Sequence, residues 1–201
     1  MRGRRFVAAA VSLCALAALT ACTGTGAASI PGAGTVIRVK PADRTNGPAL
    51  AGDELGGGHL ALSSYRGHVV VLNVWASWCG PCRAETPALE KSATELADEK
   101  VVFLGLNTHD SSTGALAFVR ASAAHYPSLY DPDGALQLQL RHSIPPSAIP
   151  STLVFDRQGR VAAGIIGPVT QQSLSALVGE VLLEGVHPAT PTSTPSSARS
   201  S

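Results

Sequence analysis

Two cysteines three positions apart, Cys79 and Cys82 in the stretch WCGPC, are the residues of this sequence best equipped for chemistry. Such a pair can serve as a redox dithiol, as half of a zinc site or as a structural disulfide. The chain has four cysteines, of which Cys14 and Cys22 lie in an apolar leader, so Cys79 and Cys82 are the only thiols of the body. One pair makes no disulfide scaffold. Zinc needs further closely placed ligands, and neither a second C-x-x-C nor an H-x-x-x-H occurs, the histidines being scattered singly. A redox dithiol is therefore expected, with a fixed, non-catalytic disulfide as the alternative.

The flanking residues assign a role to each thiol. HVVVLNVWA (68–76) is a nearly continuous β-branched apolar run, as a strand buried on both faces requires, and PCRAETPALEKSATELADEK (81–100) has helical spacing through Leu89, Ala93 and Leu96. Pro81 suits the first turn of that helix, whereas Pro87 inside it should bend it. Cys79 then falls at the helix start, where unsatisfied N–H groups and the macrodipole favour a thiolate, drawing its pKa from about 8.5 toward about 3.5–7.5. It is the expected nucleophile. Cys82, one turn further on, is shielded inside the helix and attacks only a mixed disulfide already formed on Cys79. Gly80 and Pro81 between them carry no polar side chain that would stabilise the thiolate further.

The elements that must position this pair read as one domain, since 201 residues, 45% of them hydrophobic, suffice for a single ordinary core. After the first strand and helix come a buried strand VVFLGLN (101–107), a Ser/Thr-capped helix STGALAFVRASAAH (112–125) and a looped stretch to Pro150. STLVFDRQGRVAAGII (151–166) has the pattern of a β-hairpin turning at Gly159, and an amphipathic helix closes the body over 170–185. The order β-α-β-α-β-β-α predicts an α/β fold, a mixed central sheet flanked by helices on both faces. GGGHLALSSYRG (56–67) can add a short N-terminal hairpin at its edge.

The ends read differently. Arg2, Arg4 and Arg5 precede an apolar run from Phe6 to Leu19, shorter than the ~20 residues of a membrane helix and suited to a signal peptide. Leu19-Thr20-Ala21-Cys22 resembles the bacterial lipobox, which implies removal of residues 1–21 and a lipid on Cys22. That removal leaves 12 basic against 14 acidic residues. Membrane attachment would then come from lipid, not charge. Residues 22–47 read as a flexible tether and 187–201, rich in Ser, Thr and Pro, as a disordered tail. No dense basic patch suits nucleic acid.

LNVWASWCGPCRAETP (72–87) resembles the TlpA/ResA branch of exported thioredoxin-like thiol-disulfide oxidoreductases. The resemblance extends over residues 48–186 and implies a thioredoxin-like fold with a central insertion after the second strand, where 111–140 is long enough to supply it. It implies that Trp78 flanks the substrate groove. Cytosolic thioredoxins carry a buried Asp six residues before the nucleophile, where this chain has Asn73, which accepts no proton. Relatives in this branch place a buried carboxylate at the end of the next strand, matched by Asp110, which with its pKa raised by burial would serve as general base. Glu85 also matches the branch pattern, with a solvated surface charge as its ordinary reading. AIPSTLVFD implies a cis Ile149–Pro150 bond that turns the backbone of Ile149 toward a substrate peptide.

Gly80-Pro81 is the dipeptide of reducing thioredoxins. The expected activity is reduction of disulfides in exported proteins from the extracytoplasmic side of the membrane, apocytochrome c being the substrate that the resemblance suggests. No cofactor is implied, and a membrane thiol-disulfide reductant would recharge the enzyme. A disulfide-forming oxidase or isomerase is the first alternative and a non-catalytic binding module the second. A peroxidase fits less well, because NVWASWC lacks the P-x-x-x-T-x-x-C setting.

Overall fold

The computed structural model describes residues 34–122 and 124–184. Its centre is β4 (Val69–Trp75), with every residue buried, as its unbroken apolar run requires. The other elements are β1 (Thr35–Arg38), β2 (Ala51–Asp53), β3 (His59–Ala61), α1 (Gly80–Glu95), β5 (Val101–Thr108), α2 (Ser112–Ser122), β6 (Ser128–Asp131), α3 (Ala135–Gln139), β7 (Ser151–Phe155), β8 (Val161–Ile166) and α4 (Gln171–Glu184). The main sheet runs β1-β8-β7-β4-β5-β6. β4, β5 and β6 are parallel, while β7, β8 and β1 are antiparallel to their neighbours. The mixed α/β sheet is thus the one expected.

Alternation along the strands divides the core. Val70, Leu72 and Val74 of β4 join Leu104, Leu106, Leu153 and Phe155 on one face, covered by Leu50, Leu60, Leu140 and Ile144. Val69 and Val71 join Phe103, Val154 and Ile165 on the other, beneath Leu89 of α1 and Leu174, Leu177, Val178 and Val181 of α4. Trp75 ends β4 against Ala115 and Phe118 of α2. The two ring centroids are 5.5 Å apart. α1 continues through Pro87 as one helix, its upper turn reinforced by the Thr86 hydroxyl donating to the Cys82 carbonyl at 3.0 Å.

Three differences from the sequence reading stand out. Residues 34–47 belong to the domain, not to a tether, because β1 pairs with β8 and the Arg44 guanidinium is buried between Asp156 and Glu184. The stretch read as a loop after α2 contains β6 and α3. The N-terminal hairpin, β2 with β3, forms its own two-stranded sheet, linked to β6 by a bridge between Glu54 and Leu129 and by packing of Leu60 with Leu129 in one core cluster. The leader, Cys22 and the 187–201 tail lie outside the described residues. Among the described residues no helix is long and apolar enough to cross a membrane.

Candidate active site

Strand β4 ends at Trp75, the chain passes through buried Ala76 to reach the surface at Ser77 and Trp78, and α1 starts at Gly80. Cys79 is its N-cap: its backbone is extended and its Sγ accepts the Cys82 N–H at 3.2 Å. That is the environment in which a thiolate is stabilised by helix N–H groups. Cys79 and Cys82 are joined by a disulfide, with Cα atoms 5.3 Å apart. Both are buried, at 5% and 2% exposure, whereas Trp78, Gly80 and Pro81 between and before them are exposed. The exposed surface beside the two sulfurs is therefore formed by Trp78, Gly80 and Pro81.

The Ile149–Pro150 bond is cis, and Ile149 packs against the apolar cluster that contains both cysteines. Pro150 directly precedes β7, and its carbonyl accepts the Gly167 N–H at 2.9 Å. The dithiol and this loop, 67 or more residues distant in sequence, are thus brought together because β4 and β7 are neighbours in the sheet.

Below the disulfide lies a carboxylate. Glu85, one helical turn past Cys82, is 3% exposed, so the surface reading of this residue is overturned. Its Oε1 accepts from the Asn73 amide at 2.8 Å and its Oε2 from the Val169 N–H at 2.8 Å. Burial pushes its pKa up to about 7, against the downward pull of the Val169 and Asn73 bonds. Asn73 also donates to the Thr152 hydroxyl of β7 at 3.2 Å. The i, i+3 spacing places Cys82 and Glu85 on the same helix face with Cβ atoms about 5–6 Å apart.

Asp110 does not have the properties expected of a general base. It follows β5 but is only half-buried, and its carboxylate is saturated by donors: Ser77 N–H at 2.6 Å, Ser77 hydroxyl at 2.9 Å, Asn107 amide at 3.0 Å and Ser111 N–H at 2.8 Å. Partial burial pushes its pKa up, but these bonds outweigh it and hold the group below the usual carboxylate range. The raised carboxylate of this site is Glu85. No motif or spacing in the sequence marks Ser77, Asn107, Thr152 or the Val169 backbone as part of this site. Only the i, i+3 step from Cys82 to Glu85 could have pointed to part of this network.

The mixed sheet, with a helix-capping dithiol and a cis-proline loop facing it, is the architecture of thioredoxin-like thiol-disulfide oxidoreductases. Within that class, the AhpC/TSA family matches residues 44–163, and the chain belongs to it. The thiol:disulfide interchange protein DsbE of Pseudomonas aeruginosa is 34% identical over 116 residues, which cover 56% of this chain and 59% of that one. The thiol-disulfide oxidoreductase ResA of Bacillus subtilis is 23% identical over 130 residues, covering 65% and 70%. The chain thus spans 59% to 70% of these relatives' lengths. Among solved structures, a secreted thiol-disulfide isomerase from Corynebacterium glutamicum superposes with a TM-score of 0.70 at 35% identity, covering 77% of this chain and 96% of that one. A DsbF homologue from Corynebacterium diphtheriae gives 0.69 at 35% identity, covering 75% and 96%.

Proposed function

We propose that this protein reduces disulfides in exported proteins, attached on the extracytoplasmic side of the membrane through lipid on Cys22. The observation that carries the redox reading is Cys79 at the N-cap of α1, with Cys82 inside the first turn and the buried Glu85 carboxylate one turn below it. The Cys79 thiolate attacks one sulfur of the substrate disulfide, forming a mixed disulfide and expelling the other sulfur as a thiolate. Glu85 takes the proton of the Cys82 thiol, and Cys82 then attacks Cys79 Sγ. The second substrate sulfur leaves as a thiolate; one substrate sulfur takes the proton that Glu85 removed from Cys82 and the other takes one from solvent, where Cys79 had released its own, so the substrate gains two electrons and two protons and the enzyme keeps the Cys79–Cys82 disulfide. A membrane dithiol restores the reduced pair by the reverse exchange. The cis bond to Pro150 turns the Ile149 backbone edge toward the substrate chain, and Trp78 flanks it.

Apocytochrome c is the substrate class that the ResA and DsbE relationships support. The test is insulin reduction together with a redox titration. A reductase has a potential near about −270 mV, and a value near about −120 mV would refute the direction of flow. Full turnover by a Cys79→Ser variant would refute the mechanism, and absence of turnover by the parent protein would favour the binding-module alternative. A second reading, isomerisation of disulfides in secreted proteins, draws support from the similarity to the corynebacterial isomerase. Refolding of a scrambled multi-disulfide protein separates the two.

A further inference from the structure

Asp110 is a half-buried carboxylate that the exchange chemistry does not use, yet it is the most heavily bonded acidic side chain near the thiols. Both of its oxygens are filled: Oδ1 by the Ser77 hydroxyl and the Ser111 N–H, Oδ2 by the Ser77 N–H and the Asn107 amide. A carboxylate has only acceptors, so it suits four converging donors in a way that no amide can. One residue before Asp110, His109 adopts φ 51°, a backbone conformation uncommon outside glycine, and its carbonyl accepts the Trp78 indole N–H at 2.9 Å. The two residues that lead into Cys79 are thus fastened to the two residues that follow β5. Trp78 is 61% exposed but held at one end.

We propose that Asp110 is a positioning residue: it fixes the Ser77–Trp78 turn relative to the sheet, and so sets where the Trp78 indole stands beside the Cys79 sulfur when a substrate chain docks. This rests on the reading of Cys79 as the attacking thiol. A small disulfide needs only access to that sulfur. An extended protein chain must also meet Trp78 and the Ile149–Pro150 edge at a set separation, so loosening the turn penalises the protein substrate selectively.

The experiment compares Asp110→Asn, Asp110→Ala and Ser77→Ala with the parent protein on insulin and on hydroxyethyl disulfide, and follows hydrogen exchange of the Ser77 amide. Asp110→Asn and Asp110→Ala are expected to lower kcat/KM for insulin about tenfold through KM, as loss of charge-assisted bonds would, with the small disulfide changed less than about twofold. Ser77→Ala, which retains the backbone bond, is expected to fall between them and the parent, and Ser77 amide exchange to accelerate in both Asp110 variants. Asp110→Asn failing alongside Asp110→Ala marks the need for four acceptor sites rather than for shape. An unchanged insulin KM, an equal loss on both substrates in Ser77→Ala, or unaltered Ser77 exchange would each overturn the proposal. Turnover by Cys79→Ser would instead refute the underlying assignment of the nucleophile, whatever the Asp110 variants do.

Discussion

The amide of Asn73 donates to Glu85 Oε1 at 2.8 Å and to the Thr152 hydroxyl at 3.2 Å, tying the central strand to the thiol helix and to the strand after the cis-proline. A donor to a carboxylate lowers its pKa. Removing it in Asn73→Ala is expected to raise the Glu85 pKa above about 7, moving the midpoint of the pH–rate profile to higher pH. Stopped-flow reduction of insulin between mildly acidic and mildly alkaline pH measures the shift, and a midpoint moving to lower pH would count against this account.

Glu85→Gln keeps the shape and removes the proton acceptor. General-base catalysis contributes upward of about a hundredfold, so resolution of the mixed disulfide should slow by about that factor and lose its titration near neutrality. Single-turnover kinetics with a pre-formed mixed disulfide provides the measurement. A rate within twofold of the parent would mean that Cys82 releases its proton elsewhere.

The same carboxylate makes the oxidised protein sensitive to pH. With its folded-state pKa raised from 4.5 to about 7, Glu85 binds a proton more tightly in the folded than in the unfolded chain. Its contribution is therefore fully present below about 4.5 and lost as pH rises through about 7, by up to roughly 3 kcal/mol. Urea unfolding of the oxidised parent should show this decline, and Glu85→Gln, which does not titrate there, should lack it.

Arg44 tests whether residues before Pro48 belong to the folded body. Its side chain is only 4% exposed and pairs with Asp156, which is 6% exposed, and with Glu184. Arg44→Ala is expected to cost about 3 kcal/mol by leaving a buried carboxylate short of one partner, at the low end because Arg160 still donates to Asp156 at 2.8 Å. Denaturation midpoints measure the loss. A flexible tether would predict no change.

Much of this was legible from local pattern. Unbroken apolar runs gave β4 and β5, the Gly159 turn gave the β7–β8 hairpin, and the C-x-x-C pair after a strand placed both thiols. β1 leaves no pattern in the sequence because it is four residues long and exposed throughout, an edge strand held by its pairing with β8 rather than by a buried face. β6 is equally short, and α3 occupies only five residues after the turn at Gly134. The roles of the two carboxylates could not be read from spacing. Whether Glu85 or Asp110 carries the raised pKa depends on which is buried between α1 and the sheet and which meets four donors, two of them supplied by Ser77, 33 residues earlier in the chain.

The register of β1 has a consequence for where the enzyme can work. Thr35 pairs with Ile166, which pairs in turn with Ser151 beside the cis-proline, and the Gly34 N–H is bonded to the Pro168 carbonyl. The polypeptide therefore enters the domain at the pole that carries the chemistry. With lipid on Cys22 as proposed, the stretch to Gly34 spans at most about 40 Å even at full extension. The thiols would patrol a shallow layer above the bilayer, near a membrane donor of electrons, and an exported substrate would have to come down to that layer to be reduced.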